Sequence, residues 1–87
     1  MSKIIFSDEA WGEYCYWQTQ DKKTLKRINQ IINDIKRNKN TGIGKPEPLK
    51  NEFSGYWSRR IDNMNRIVYR IADEQITIIQ CKGHYNE

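Results

Sequence analysis

The fold is decided by residues 56–81, which read YWSRRIDNMNRIVYRIADEQITIIQC. Three runs rich in β-branched and aromatic residues, 56–61, 66–71 and 76–81, are separated by short polar turns. Runs of this length with turn residues between them predict three antiparallel strands joined as a meander. The last run is apolar at odd and even positions alike, so we expect it to lie inside the sheet.

Two amphipathic helices are expected before this meander. Ser7 offers an N-cap for the first, followed by acidic residues where a helix N-terminus favours negative charge. Asp21 offers a cap for the second, over residues 22–38. The apolar stripe of this second helix contains Leu25, Ile28, Ile31, Ile32 and Ile35. The short link between the helices predicts an antiparallel hairpin.

The short run Lys3-Ile4-Ile5-Phe6 predicts one more strand, at a free edge of the sheet. The expected fold is therefore α+β, in the order β-α-α-β-β-β. The helical hairpin packs on one face of a twisted, mainly antiparallel four-stranded sheet. A chain of 87 residues has room for one hydrophobic core, so we expect a single domain over residues 1–87. The other face of the sheet is left open for function.

The charge balance favours a polyanionic partner. The chain has 15 Lys and Arg against 11 Asp and Glu, a net charge of +4, which points to nucleic acid first. The alternative is that the cations only keep a small domain soluble. The aromatic cluster of the first helix is interpreted as core packing rather than a base-stacking surface. It consists of Trp11, Tyr14, Tyr16 and Trp17.

Metal sites and membrane segments are not expected. Cys15 and Cys81 show no metal-ligand spacing, and His84 is the single histidine. Free thiols in a reducing cytoplasm fit this pattern better than a disulfide. No apolar run is long enough for a signal peptide or a membrane span. We therefore expect a cytoplasmic protein without cofactor, metal or membrane partner.

Residues 40–52 are predicted to form a loop that holds a carboxylate rigidly. Gly42 and Gly44 end the helical pattern, while Pro46 and Pro48 fix φ and restrict the residues before them. Glu47 lies between the prolines, so few backbone conformations are allowed for it. Taken alone, this stretch favours a stiff connector whose glutamate simply faces water.

The strand region is unusually rich in arginine. Four arginines fall on the first two strands of the meander: Arg59, Arg60, Arg66 and Arg70. Successive side chains alternate between faces, so neighbouring arginines in the sequence point opposite ways. Which of the first two shares a face with Arg66 depends on the turn, since a one-residue slip reverses the answer. At least one arginine on the open face would be available to a phosphate.

A histidine, a held glutamate and arginines are suited to metal-independent RNA cleavage. In that reaction a general base removes the 2′-hydroxyl proton, a general acid protonates the departing 5′-oxygen, and cations stabilise the phosphorane. A carboxylate suits the base, and we assign that role to Glu47; an imidazole, which can carry a proton near neutral pH, suits the acid, and we assign that role to His84. His84 follows the last strand at the rim of the sheet. The loop that contains Glu47 can also reach this rim.

Several ordered motifs resemble the YoeB toxins of the RelE superfamily. They are GKPEPLK at 44–50, SGYWSRRI at 54–61, RIVY at 66–69 and the terminal His84-Tyr85. The resemblance covers nearly the whole chain. It implies a RelE-like fold and the toxin of a type II toxin–antitoxin pair, an endoribonuclease that cuts messenger RNA in the ribosomal A site. It also implies a homodimer, a YefM-like antitoxin as partner, and contact with DNA only indirectly through that antitoxin.

The resemblance assigns roles to residues of this chain. Glu47 resembles the general base, His84 the general acid and Arg66 the arginine that stabilises the phosphate. Lys50, Arg60 and Tyr85 match positions that hold or orient RNA, with Arg59 as a further candidate. Lys82 departs from the pattern, since an arginine is common there, and residues 86–87 extend past the tyrosine near which the family ends.

Two other functions remain open. One is a ParE-like toxin of the same superfold that inhibits a protein target by binding and has no use for an acid/base pair. The other is a basic RNA-binding module without turnover. Glu47 and His84 are the residues that discriminate between these functions and the ribonuclease.

Overall fold

The structure is a computed structural model that describes residues 2–85. Its helices and strands, in chain order, are β1 (Lys3–Phe6), α1 (Asp8–Gln20), α2 (Lys22–Asn38), β2 (Glu47–Pro48), β3 (Trp57–Arg60), β4 (Arg66–Ala72) and β5 (Gln75–Gln80), with one 3-10 turn at Asn51–Phe53. Met1, Asn86 and Glu87 lie outside the described residues, and so does the effect of the 86–87 extension on Tyr85. No helix within residues 2–85 is long and apolar enough to cross a membrane.

The strands form one sheet in the order β1-β5-β4-β3-β2. β1 is parallel to β5, and the other pairs are antiparallel. The expected α+β architecture is confirmed, with β5 inside the sheet, but the expected count of four strands is wrong. The fifth strand is β2, in the stretch predicted to be a loop. A strand containing proline is tolerated here because β2 lies at the edge and pairs only with β3.

The two helices begin at the expected caps. The Ser7 hydroxyl accepts from the Ala10 N–H (3.1 Å). The Asp21 carboxylate accepts from the backbone N–H groups of Lys23 and Thr24, at 3.1 Å each. Asp21 is the only residue between α1 and α2, which forces the second helix to turn back directly along the first.

The core lies between the helices and one face of the sheet. Ile28, Ile31 and Ile35 of α2 are completely buried there. The sheet contributes Ile67, Tyr69, Ile76 and Ile78, and the residues directly after β3 and β5 contribute Ile61 and Cys81. The Cys81 thiol is free, and burial raises its pKa to about 12. The thiol is therefore unreactive at neutral pH.

The aromatic cluster of α1 is only partly in the core, so the interpretation as core packing is wrong for two of its members. Trp17 is buried, but Trp11 remains 51% exposed and Tyr16 45% exposed. The reason is helical geometry: Ala10 and Trp17 are seven residues apart and share the buried face, whereas Trp11 is rotated about 100° from Ala10. Trp11 instead stacks on Tyr14, with ring centroids 5.8 Å apart.

A β-bulge in the β4–β5 pair changes the direction in which the chain leaves the sheet. Tyr69 pairs with Ile78, but Val68 pairs with Gln80, so Ile79 is an extra residue in β5. The bulge places Gln80 beside Val68 on the face away from the helices, and the next residue, Cys81, in the core. The chain leaves β5 at this point and carries residues 82–85 towards the open face.

Candidate active site

Cross-strand pairing brings Glu47 and two of the arginines to the same face of the sheet. Glu47 pairs directly with Ser58, and Arg60 pairs directly with Arg66. Directly paired residues share a face, and residues two apart on one strand do so as well. Glu47, Ser58, Arg60 and Arg66 therefore all lie on the open face, opposite the helices. The register also settles the question left open by the turn, because Arg60 is the arginine that shares a face with Arg66.

Arg59 faces the other way, and its predicted role as an RNA contact is not compatible with its position. Its side chain is 0% exposed and forms an ion pair with Asp34. Its nitrogens also donate to the Tyr69 hydroxyl and to three backbone carbonyls. A guanidinium has five N–H donors, and here the protein itself occupies them. Alternation along β3 is the physical cause, since the residue next to an exposed Arg60 must point into the core.

The carbonyls bound by Arg59 belong to the loop between α2 and β2. They are those of Lys39 (2.6 Å), Thr41 (2.7 Å) and Ile43 (3.0 Å). Asp34 holds the same loop by accepting from the Ile43 N–H (3.0 Å). The ion pair therefore fixes the path of the chain just before Glu47. The sequence shows both residues, but Asp34 lies 25 positions from Arg59, so no local pattern connects them.

Arg60 and Arg66 form a pair of like charges across two strands. Arg60 is exposed, whereas Arg66 is only 8% exposed. The Nη1 of Arg66 donates to the carbonyls of Asp62 (2.6 Å) and Asn65 (3.1 Å), which fixes the guanidinium against the turn. Like charges directly opposite each other are unfavourable in a sheet. A bound anion such as a phosphate would relieve that repulsion.

The C-terminal segment crosses the open face next to Ser58. The hydroxyls of Ser58 and Tyr85 are hydrogen-bonded at 3.1 Å. The Tyr85 ring contacts Phe53 edge-on, with centroids 6.3 Å apart. Because Ser58 is also the direct partner of Glu47, Tyr85 reaches the same position in the sheet as the glutamate.

His84 is exposed beside Tyr85. The two rings are 5.3 Å apart, and His84 Nδ1 lies 3.3 Å from the Tyr85 carbonyl oxygen. A proton on Nδ1 can be donated to that carbonyl, which leaves Nε2 directed away from the backbone. Lys50 is exposed as well, two residues beyond β2 and next to the buried Leu49.

Two residues of α1 hold the start of the C-terminal segment: Glu13, which was not identified from the sequence, and Trp17, which was identified there only as an aromatic core residue. The Glu13 carboxylate accepts from the Cys81 N–H (2.8 Å), and the Trp17 indole N–H donates to the Cys81 carbonyl (2.9 Å). Burial raises the pKa of Glu13, although the Cys81 hydrogen bond opposes the effect. A signal was available, since Glu13 falls between Ala10 and Trp17 on the buried face of α1, where a carboxylate is uncommon.

The described residues contain no arrangement suited to a metal ion. Across residues 2–85, no group of three or more His, Cys, Asp and Glu side chains is placed to coordinate one. The open face thus carries an exposed carboxylate, two opposed guanidinium groups and a phenol, with an exposed imidazole next to the phenol.

Comparison with known proteins identifies close relatives over almost the full length. The family of YoeB-like toxins of bacterial type II toxin–antitoxin systems matches residues 6–85. The toxin YoeB of Streptomyces coelicolor is 49% identical over 83 residues, which is 95% of this chain and 99% of that protein.

Two solved structures from Staphylococcus aureus have the same fold. One is a heterotetrameric YoeB–YefM toxin–antitoxin complex, 46% identical with a TM-score of 0.90, in which the match covers 98% of this chain and 99% of the other. The second is a YoeB dimer, 47% identical with a TM-score of 0.90, covering 97% and 98% of the two chains.

Proposed function

Because this chain belongs to the YoeB-like toxins of bacterial type II toxin–antitoxin systems, we propose that it is a ribosome-dependent endoribonuclease. Its substrate is messenger RNA in the ribosomal A site. The observation that carries this proposal is the pairing on the open face. Glu47 lies opposite Ser58, Ser58 is bonded to Tyr85, and Arg60 lies opposite Arg66 in the adjoining part of the same face.

The reaction begins with the 2′-hydroxyl of the nucleotide before the cut. Glu47 accepts its proton, and the 2′-oxygen attacks the adjacent phosphorus while the bond from phosphorus to the 5′-oxygen breaks. His84 gives a proton to that 5′-oxygen as it leaves. The products are a 2′,3′-cyclic phosphate, open to hydrolysis to a 3′-phosphate, and a free 5′-hydroxyl.

The cations have separate tasks in this proposal. Arg66, held by the carbonyls of Asp62 and Asn65, stabilises the negative charge that grows on the phosphorane oxygens. Arg60 and Lys50 are exposed and bind the phosphates of the message, while Tyr85 orients the nucleotide. Arg59 has no direct task, because its side chain is buried.

The partners follow from the relatives. The Staphylococcus aureus toxin forms a complex with YefM, and it also forms a dimer. We extend both properties to this chain: a YefM-like antitoxin neutralises it, and two copies associate. Contact with DNA would then pass through the antitoxin. The site of action would be the cytoplasm, where ribosomes translate.

A message with one 2′-deoxy nucleotide tests the chemistry most directly. The substitution is placed just 5′ of the cut, where it removes the attacking oxygen and leaves the phosphate and base in place. A matched control carries the same substitution on the nucleotide just 3′ of the cut. On programmed ribosomes we expect the control to be cleaved and the test message to stay whole. Cleavage of the test message at the same bond would mean that water attacks, and the roles of Glu47 and His84 would then be wrong.

A wild-type protein that arrests growth without cutting any message would instead support the ParE-like alternative. Toxicity and cleavage should therefore be measured on the same preparation. Ribosome binding without cleavage would point to an RNA-binding module.

A further inference from the structure

Asn65, in the turn between β3 and β4, connects two parts of the proposed active site through its side-chain amide. Its Nδ2 donates to both carboxylate oxygens of Asp62, at 3.1 Å each, and its Oδ1 accepts from the Gly83 N–H (2.7 Å). A carboxylate can only accept and an N–H can only donate, so the partners determine which end of the amide faces which group. The amide therefore joins the turn to the residue that precedes His84.

The Asp62 end of this connection is firmly held. One oxygen of Asp62 also accepts from the backbone N–H groups of Met64 (2.8 Å) and Asn65 (2.7 Å). Burial alone would raise the pKa of Asp62. The hydrogen bonds from the Asn65 side chain and from these two backbone groups lower it overall, so Asp62 is ionised at neutral pH. An anchored carboxylate of this kind keeps the Asn65 amide in one orientation.

The Gly83 end lies directly before the proposed general acid. Gly83 has a φ of +81°, a conformation that glycine adopts readily. Besides its N–H bond to Asn65, its carbonyl accepts from the backbone N–H of Arg66 (2.9 Å) and from the Gln80 side chain (3.1 Å). Two consecutive residues, Asn65 at the end of the turn and Arg66 at the start of β4, therefore hold the peptide units on either side of Gly83.

The same turn also holds the proposed phosphate-binding group, since Arg66 Nη1 donates to the Asp62 and Asn65 carbonyls. His84 itself is exposed, and its ring rests against the neighbouring Tyr85. The backbone of Gly83 on one side and the contact with Tyr85 on the other therefore position the imidazole relative to Arg66.

We propose that Asn65 is a positioning residue that sets the His84 imidazole relative to the Arg66 guanidinium by holding the Gly83 N–H. The proposal depends on the roles given above to His84 and Arg66. Asn65 itself does not touch the RNA. Removing its amide would leave the Gly83 N–H without this acceptor and allow the backbone at Gly83 and His84 to shift, while the Gly83 carbonyl and the Tyr85 hydroxyl keep their partners.

The expected effect lies in the chemical step. A misplacement of about 1 Å at a reacting group can cost about 100-fold in rate. We therefore expect Asn65→Ala to lower kcat by about 10- to 100-fold and to change KM by less than about 3-fold. KM should change little because the proposed phosphate contacts are the exposed Lys50 and Arg60, whereas the Asn65 amide is hydrogen-bonded to Asp62 and Gly83.

His84 also offers a measurement that does not require activity. It is the only histidine among the 87 residues, so its imidazole C–H signals in an NMR spectrum are assigned without ambiguity. We expect Asn65→Ala to shift or broaden these signals. Asn63→Ala, at an exposed position in the same turn, is the matched control and should leave both the signals and the cleavage rate unchanged.

An exchange of two side chains tests whether the hydrogen bonds themselves matter. Asn65→Asp alone retains an acceptor for the Gly83 N–H but places two carboxylates against each other. Their repulsion should move residue 65 away from its position and cause a loss similar to that of Asn65→Ala. Combining it with Asp62→Asn restores a donor at 62 and acceptors at 65 with the same net charge. The combined variant can therefore satisfy the Gly83 N–H again, and it should recover cleavage and the His84 signals.

The outcomes separate this proposal from the proposed function. If Asn65→Ala is folded and cleaves at the wild-type rate with unmoved His84 signals, the proposal is overturned. If Asn65→Ala does not fold, the combined variant Asp62→Asn/Asn65→Asp provides the test of the proposal. A pair with the wild-type Tm that still cleaves as poorly as Asn65→Asp also overturns it. If the wild-type protein itself does not cleave, the proposed function fails, and the His84 signals alone decide whether Asn65 positions this segment.

Discussion

The Arg59 guanidinium forms an ion pair with the Asp34 carboxylate on the helix side of the sheet, while Arg60, one residue later, is exposed on the opposite face. Two adjacent arginines thus have unrelated surroundings. Arg59 ties the loop before β2 to the core, and Arg60 stands opposite Arg66 in the proposed active site. Substitution of each in turn should separate stability from activity.

Arg59→Met should destabilise the fold, whereas Arg60→Met should not. Removing one partner of a buried ion pair costs about 3–5 kcal/mol, and we expect the lower end because Asp34 keeps some access to water. Surface substitutions usually change stability by less than about 0.5 kcal/mol. Urea unfolding of both variants measures the difference, and cleavage assays should show a loss for Arg60→Met despite its normal stability. Equal stability of the two variants would contradict the buried role of Arg59.

The same pair has a defined dependence on pH. The hydrogen bond from Arg59 is the main cause that lowers the pKa of Asp34 below its ordinary 3.8. A carboxylate with a lowered pKa stabilises the fold fully above the ordinary value, and this contribution is lost as the pH falls through the lower, folded value. The gap in stability between wild type and Arg59→Met should therefore be constant near neutrality and shrink below about pH 3.8. Unfolding curves between pH 2 and 7 would show this, and a gap that widens on acidification would contradict it.

Glu47→Gln and His84→Gln should each abolish most cleavage without unfolding the protein. Both side chains are exposed, so little packing is lost. Each proton transfer is worth about 10²–10⁴-fold in rate, and the two effects need not multiply because they act in one transition state. Glu52→Gln, at an exposed carboxylate close to β2 in sequence, is the control and should remain active. A near-wild-type rate for either test variant would remove that residue from the mechanism.

Glu13→Ala should be less stable than Glu13→Gln. The alanine leaves the Cys81 N–H without its acceptor, at a cost of about 1–3 kcal/mol, whereas the glutamine amide oxygen can still accept. Burial raises the pKa of Glu13, helped by Glu9 and opposed by the Cys81 bond and by Lys82. An acid with a raised pKa lowers stability as the pH rises above its ordinary 4.5, because the folded state disfavours the charged form. Glu13→Gln lacks this loss, so its stability relative to wild type should increase from pH 4 to pH 7. A relative stability that decreases over this range would be the contrary result.

Gly42→Ala and Gly12→Ala should have opposite effects. A Cβ at Gly42 would overlap the Asp34 carboxylate, and the φ of +119° disfavours any side chain. We expect a loss of about 1–3 kcal/mol, as is usual for overpacking. Gly12 lies in α1, and a Cβ added there would meet no atom within 4 Å beyond its chain neighbours and the adjacent helix backbone, so alanine should add about 0.5–1 kcal/mol. Thermal unfolding of both variants provides the measurement, and a tolerated alanine at 42 would show that the loop can move away from the ion pair.

Much of the secondary structure follows from local features of the sequence. The cap residues Ser7 and Asp21 and the apolar stripe of α2 predict the helices, and α2 spans the expected residues 22–38. The three runs of the meander also form strands close to the expected bounds. These features are readable because each depends on residues that are near one another in the chain.

The side of the sheet on which each arginine lies was decided only by the tertiary structure. Strand periodicity is two, so the sequence places Arg59 and Arg60 on opposite faces but does not say which face is buried. The β3–β4 register pairs Arg60 with Arg66 and thereby turns Arg59 towards Asp34. The short strand β2 was missed for a related reason, because its prolines are typical of a loop and only pairing with β3 makes it a strand.

The contacts that hold the C-terminal segment were also beyond local reasoning. Glu13 and Cys81 are separated by 68 residues, and Asn65 and Gly83 by 18. The sequence around Cys81 or Gly83 does not indicate which side chain accepts from its backbone N–H, since many acceptors can do so. Local sequence features thus specify the two helices, the strands β1, β3, β4 and β5, and the residue types available for chemistry. The tertiary structure decided which of them meet, because hydrogen-bond partners distant in the chain are chosen by the packing of the helices and by the register of the strands.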